Sequence, residues 1–250
     1  MQKIKNMGKL ILAIIYFPFL IPKALEKIKR TKEIATAPET AYQWTNYFRV
    51  GPKIRGLNIN FQSSQVKSEI VSLLKELAKA PPKTVLEIGT ATAGTLFMFT
   101  QVSQPDAEII SIDLPFGRYG AGYLKYRIPL IKAFANKNQK MHLLRCDSHE
   151  AKTIEKLKEI LKGKTIDFLF IDGDHSYEGV KADFENYSPL VTPGGMIAFH
   201  DILPNDFDNS FGTQLFWKEI RNNYESQELI RENPDNTGCG IGLIKTPKIK

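Results

Sequence analysis

This sequence predicts an α/β fold with a doubly wound, mostly parallel sheet, on three observations. Short apolar strand runs alternate with helical faces from about residue 66 to residue 244. The first of those strands opens into a turn of small residues. Several later strands end on an acidic residue or a histidine. Length and composition agree. The 250 residues, 42% hydrophobic and 24% charged, fit one large domain with a short appendage and exclude disordered, collagen-like and coiled-coil chains.

The appendage is residues 1–35. It holds eight basic and two acidic side chains, a net of +6, while the rest of the chain nets only +1. A nucleic-acid-binding domain carries its charge on the folded body, so that class of partner is excluded. Leu10–Ile21 reads LILAIIYFPFLI, with lysines on both sides. As a helix it reaches roughly 18 Å against a hydrocarbon core of about 30 Å, too short to span. Three placements fit: an anchor lying in an anionic membrane surface, a helix packed on the domain or on a second copy of the chain, or a cleaved signal peptide. The last suffers because the A-x-A-like site, Ala35-Thr36-Ala37, lies beyond a charged run. The two cysteines, Cys146 and Cys239, form no disulfide framework and suit a reducing compartment as small buried residues. The expected location is cytoplasmic, peripheral to the cytoplasmic membrane face. Residues 36–60, with Tyr42, Trp44, Tyr47 and Phe48, read as an ordered lead-in or lid, and 61–250 as the main domain.

Within that domain Val66, Ile70, Leu73, Leu74 and Leu77 mark one helix face, stopped by Pro81-Pro82. Strands follow at Thr84–Ile88, Glu108–Ile112, Met141–Leu144, Ile166–Ile171 and Met196–Phe199. Helical stretches separate them at about Thr95–Val102, Leu130–Ala135, Ile154–Leu161 and Val180–Tyr187. A last helix holds Leu215, Phe216 and Ile220. Two final strands, near Gln227–Arg231 and Gly240–Ile244, make seven in all.

Doubly wound sheets bind ligands beyond the carboxyl ends of their strands. The first strand ends in Glu87-Ile-Gly-Thr-Ala-Thr-Ala-Gly-Thr95, where Gly89, Ala91 and Gly94 let a ligand approach backbone N–H groups near a helix start. The second strand ends at Asp113, twenty-four residues after Gly89, where an acid commonly holds an adenosine ribose. Both NAD and S-adenosylmethionine use this layout, but the turn does not match G-x-G-x-x-G.

The turn resembles motif I of the class I S-adenosylmethionine-dependent methyltransferases: an acidic residue, any residue, then glycine. The blocks Phe170-Ile-Asp-Gly-Asp-His-Ser-Tyr-Glu-Gly-Val180 and Pro193-Gly-Gly-Met-Ile-Ala-Phe-His-Asp201 look like the branch containing macrolide-sugar O-methyltransferases and cephalosporin hydroxylase-like proteins. The resemblance covers about residues 60–245. It implies a seven-stranded, Rossmann-like methyltransferase fold with an antiparallel C-terminal strand. It also implies S-adenosylmethionine contacts at Glu87, Gly89, Thr90, Ala91, Gly94, Thr95, Asp113, Leu114, Asp147, Ser148 and Asp172. In that family the glycine turn meets the methionine part, the Asp113 position meets the ribose, and the Asp147-Ser148 stretch meets the adenine. Ala93 departs from the family, where glycine is frequent.

Asp172, His200 and Asp201 end neighbouring strands, and two carboxylates with an imidazole suit a divalent ion. The resemblance implies magnesium, although carboxylates are usual at the His200 position, and a transition ion also suits the imidazole. Asp174 is a further metal candidate, and His175 is the general base by resemblance. His142 and His149 read as structural. Phe116–Tyr123 reads as a mobile cover over the pocket, and Trp217 as a substrate wall or a core residue. The function implied is metal-assisted O-methylation of a hydroxylated small molecule such as a sugar, glycolipid or polyketide. The alternatives are metal-free N- or C-methylation, or a membrane-tethered S-adenosylmethionine-binding protein without catalysis.

Overall fold

The structure is a computed structural model that describes residues 2–52, 58–116, 122–204, 212–231 and 239–248, with side chains from residue 17 onward. Most of the 116–123 cover, and the turn between the last two strands, therefore lie outside the described residues.

The sequence opens with α1 (Gln2–Thr31) and α2 (Pro38–Tyr47), then the short strands β1 (Arg49–Val50) and β2 (Ile59–Asn60), which pair with each other. The alternating body follows: α3 (Lys67–Lys79), β3 (Thr84–Ile88), α4 (Gly94–Val102), β4 (Glu108–Ile112), α5 (Ile128–Lys132) and β5 (Lys140–Leu144). It continues with α6 (Ala151–Leu161), β6 (Ile166–Ile171), α7 (Tyr177–Tyr187) and β7 (Val191–His200). It closes with α8 (Thr213–Ile220), β8 (Glu225–Leu229) and β9 (Ile241–Lys245).

Seven strands form one sheet in the order β5-β4-β3-β6-β7-β9-β8. The first five are parallel, and β9 runs antiparallel to both β7 and β8. Successive side chains on a strand point to opposite faces, so a strand covered on both sides must be apolar throughout. Val85, Ile109, Phe168 and Phe170 face one core with α1 to α5, while Leu86, Ile110, Leu169 and Ile171 face a second core with α6 to α8. After β5 the chain returns past β3 to lay down β6. The order thus reverses between β3 and β6, which is where such sheets open a crevice.

The N-terminal helix lies against the body in its described side chains. From Phe17 onward it packs on the body, with Phe17, Leu20, Ala24 and Ile28 buried at i, i+3, i+7 and i+11. Phe17 stacks on Tyr126 at 4.4 Å, and Lys32 just beyond the helix donates to the carbonyl of Ala133 at 3.0 Å. The helix continues through Pro18 and Pro22 because both lie on its exposed side, opposite the packed stripe. Burying one large apolar side chain is worth about 1.5–3 kcal/mol, which offsets roughly 3 kcal/mol per interior proline only when several are buried together. Among the described residues no helix is long and apolar enough to cross a membrane. In the lead-in, Trp44 stacks on Phe97 at 3.8 Å and joins Phe48, Phe61 and Phe134.

Candidate active site

The carboxyl ends of β3 to β7 open into a cleft of about 420 Å³. Its floor begins at Gly89, with φ +91°, where a Cβ would lie 1.9 Å from the carbonyl oxygen of Asp172. Only glycine allows the ends of β3 and β6 to come this close. Gly94 has a different task. A Cβ there would meet the Phe61 carbonyl at 2.2 Å, so its absence lets the 61–65 segment cross the start of α4. Ala93 adopts φ +69°, the left-handed region that glycine enters without steric cost.

Asp113 organises the turn. Its Oδ1 accepts the N–H groups of Thr90 (2.9 Å) and Ala91 (3.1 Å), and its Oδ2 accepts that of Tyr123 (3.1 Å). A carboxylate offers about four acceptor sites, so capacity remains on the cleft side for a hydroxyl. Burial pushes the Asp113 carboxyl upward, and the three amides oppose that.

Of the residues assigned to the donor, Gly89, Ala91, Asp113, Leu114, Asp147, Ser148 and Asp172 line the cleft. Glu87, Thr90, Gly94 and Thr95 do not; they lie beneath or behind its wall. Glu87 is wholly buried, and burial raises its carboxyl well above the usual range. Thr90 bonds Ser111 at 2.6 Å, and Thr95 sits 3.3 Å from Ser63.

The motif after β6 is explained residue by residue. Gly173 packs beside Ile88, where a Cβ would sit 3.0 Å from the isoleucine methyl. Asp174 turns back to accept the Ser176 N–H at 2.9 Å, so it shapes the loop. Ser176 caps α7 by accepting the Gly179 N–H at 3.0 Å, and a Cβ on Gly179 would collide with Asp174. The result turns His175 into the cleft, and its carbonyl is held by the N–H of Gly212 at 2.7 Å.

Asp172, His175, His200 and Asp201 converge there. His175 Nδ1 lies 2.9 Å from Asp201 Oδ2, and its Nε2 lies 3.5 Å from Asp172 Oδ1. His200 Nδ1 lies 3.1 Å from Asp172 Oδ1 and 3.4 Å from Asp201 Oδ1. Burial pulls the His175 pKa down, but the hydrogen bond to Asp201 and the two carboxylate charges raise it on balance. Burial lowers His200 too, yet the charge of Asp172 and the hydrogen bonds to Asp172 and Asp201 raise it well above the ordinary imidazole value. Burial would push Asp201 up, yet the two imidazoles hold it well below the usual carboxylate range. Asp201 also has a φ of +60°, a conformation that non-glycine residues adopt rarely and at a cost.

Several cleft residues escaped the sequence reading. Gln65 donates from Nε2 to Asp172 Oδ2 at 2.9 Å across 107 positions of sequence. Cys146 and Cys239 line the cleft and are half-buried, not core residues. His149 also lines it, and it keeps the structural part its sequence position suggests by pairing with buried Asp183 at 3.3 Å. Trp217 is core, 1% exposed, with its indole N–H donated to Glu228 at 2.7 Å.

Comparison with known proteins agrees with this geometry. The family model of a methyltransferase domain matches residues 86–202. An uncharacterized protein of Sinorhizobium fredii is 30% identical over 142 residues, covering 56% of this chain and 15% of that protein. An uncharacterized protein of Acanthamoeba polyphaga mimivirus is 27% identical over 175 residues, covering 64% of this chain and 67% of that one. The chain thus spans only a small part of the first relative. Two solved structures share the fold. An O-methyltransferase from Bacillus cereus in complex with S-adenosylhomocysteine aligns with a TM-score of 0.55 at 15% identity, covering 90% of this chain and 91% of that one. The O-methyltransferase TomG from Streptomyces achromogenes, involved in tomaymycin synthesis and in complex with S-adenosylmethionine, aligns at 0.53 and 14% identity, covering 89% of each. The chain therefore shares the fold of these solved methyltransferases, and its residues 86–202 match a methyltransferase domain.

Proposed function

We propose that this chain moves a methyl group from S-adenosylmethionine to a hydroxyl of a small molecule such as a sugar, glycolipid or polyketide, with help from a divalent ion. The observation that carries this reading is the meeting of Asp172, His175, His200 and Asp201 in the same cleft as Gly89, Asp113 and Ser148. Two solved proteins of this fold that are named O-methyltransferases lend it support.

Both implied groups fit the residues present. Gly89 has no room for a Cβ, and Asp113 keeps acceptor capacity toward the cleft, as a ribose needs. On the other side, His200 is buried and its Nε2 has no hydrogen-bond partner among the described residues, a lone pair suited to a cation. Asp172, His200 and Asp201 would hold the ion. S-adenosylmethionine supplies a methyl group on a positively charged sulfur. A divalent ion lowers the proton affinity of a hydroxyl oxygen that it contacts.

The chain's own residues do the rest. Asp113 orients the ribose, and Asp147 and Ser148 flank the adenine. Gln65 steadies Asp172 through its amide. Asp201 accepts the Nδ1 proton of His175, which leaves Nε2 as the nitrogen that takes the acceptor's hydroxyl proton. The new oxygen–carbon bond forms as the sulfur–carbon bond breaks, and the proton ends on His175. Holding donor and acceptor in line supplies up to roughly 7–11 kcal/mol of the barrier reduction.

Transfer of labelled methyl to a panel of hydroxylated acceptors tests this. Activity should vanish with a chelator and return with added divalent ion. His175→Ala should lower kcat by about 10²–10⁴. Transfer indifferent to both treatments would refute the mechanism and favour metal-free transfer. Donor binding with no transfer to any acceptor class would favour a binding protein.

A further inference from the structure

We infer that Cys239 is a metal ligand, and that the site holds a transition ion of borderline softness rather than magnesium. This rests on the metal-assisted reading above and adds to it a ligand and a class of ion. Asp201 belongs to two sets of potential ligand atoms. One set is Asp172, His175 and Asp201; the other is His200, Asp201 and Cys239; in each, the ligand atoms lie within 4.8 Å of one another. The second set offers nitrogen, oxygen and sulfur.

Two independent observations point to the second set. His200 is 7% exposed, and Nε2 has no hydrogen-bond partner among the described residues. A buried imidazole nitrogen in that condition is costly unless something else uses its lone pair. Cys239 is also held in a left-handed backbone conformation, with φ +63°. The surroundings enforce this conformation. Its carbonyl accepts the Leu203 N–H at 3.0 Å, and the next N–H, of Gly240, is donated to buried Glu69 at 2.9 Å. Glu69 also accepts the Arg231 N–H at 3.2 Å, so one carboxylate pins both ends of the loop that carries Cys239. Strain held in place by surrounding contacts is a mark of functional positions.

The ligand chemistry then selects the ion. Magnesium takes hard oxygen ligands and does not recruit a thiol. Zinc, iron(II) and cobalt(II) accept imidazole, carboxylate and thiolate together. Binding would release the thiol proton of Cys239 to solvent, since the thiolate is the ligand.

Titration of the metal-stripped full chain with cobalt(II) tests this. A thiolate-to-cobalt charge-transfer band should appear in the near ultraviolet, persist in Cys146→Ser and be absent from Cys239→Ser. Zinc affinity, measured by competition with a chromophoric chelator, should fall at least tenfold in Cys239→Ser. If that variant does not fold, alkylation of the wild-type chain decides instead: zinc should protect Cys239 and not Cys146. Cobalt binding without a charge-transfer band, or zinc that leaves Cys239 open to alkylation, would overturn the inference and leave the metal-assisted mechanism standing. Failure to bind any divalent ion would remove both.

Discussion

At Gly89 a single methyl group decides whether two loops meet. Gly89→Ala would force a Cβ onto the Asp172 backbone and place alanine at φ +91°. The left-handed backbone alone costs about 1–2 kcal/mol, and displacement of the β6 end adds to it. The expected loss is roughly 2–4 kcal/mol of stability by denaturant unfolding, with at least a tenfold loss of S-adenosylhomocysteine affinity by calorimetry. A variant within about 0.5 kcal/mol of wild type, with donor affinity intact, would mean the close approach is not needed. At this scale the sequence was most readable where a side chain ends a strand. Asp113, Asp172, His200 and Asp201 were placed by counting to the strand ends, and all line the cleft. Glu87, Thr90, Gly94 and Thr95 belong to the same motif yet line nothing. A turn with several left-handed residues rotates its side chains in ways that spacing alone does not encode. Gln65 and Cys239 were unreadable for another reason. Each reaches the cleft only through the fold, from segments distant in sequence.

Between elements, the tie that matters most to the cleft is His149 on Asp183. It joins the loop after β5 to α7, the helix that follows His175. The hydrogen bond to Asp183 raises His149 to about 9, against burial and with help from the charges of Asp183, Asp147 and Asp174. Burial meanwhile pushes the Asp183 carboxyl up, opposed by His149. The folded value of His149 exceeds its unfolded value of about 6.5, so the pair stabilises fully below about pH 6.5. That contribution fades as pH rises through about 9. The gap in Tm between wild type and His149→Gln should therefore shrink from about pH 6 to about pH 10. A gap that stays level or widens would show that the imidazolium does not carry the tie. The elements themselves were largely legible, because buried strands are short apolar runs and helices show their apolar stripe. The exception was α1. Its apolar stretch and two prolines suggested a short segment of undecided placement, whereas the helix runs to Thr31 and packs from Phe17 onward. The stripe Phe17, Leu20, Ala24, Ile28 was present in the sequence but masked by apolar residues on every side.

Over the whole molecule, the strand order brings residues distant in sequence to one cleft. Because β3 and β6 are neighbours, residues from positions 89 and 172 share a floor, and β7 adds His200 and Asp201 to the same rim. Alternation of strand and helix predicted the layers and the parallel sheet. It did not predict which strands adjoin, since pairing between segments distant in sequence leaves no local trace. The glycine turn, the acid after the second strand and the two long motifs narrowed that choice through resemblance to a family. The central claim is that one cleft seats both a sulfonium donor and a cation. Diffraction from crystals soaked with S-adenosylhomocysteine and cobalt(II), collected at the cobalt edge, tests it most directly. Adenosine density is expected against Asp113 and Ser148, with a single anomalous peak among Asp172, His200 and Asp201. Adenosine bound elsewhere, or a peak remote from those three side chains, would contradict it.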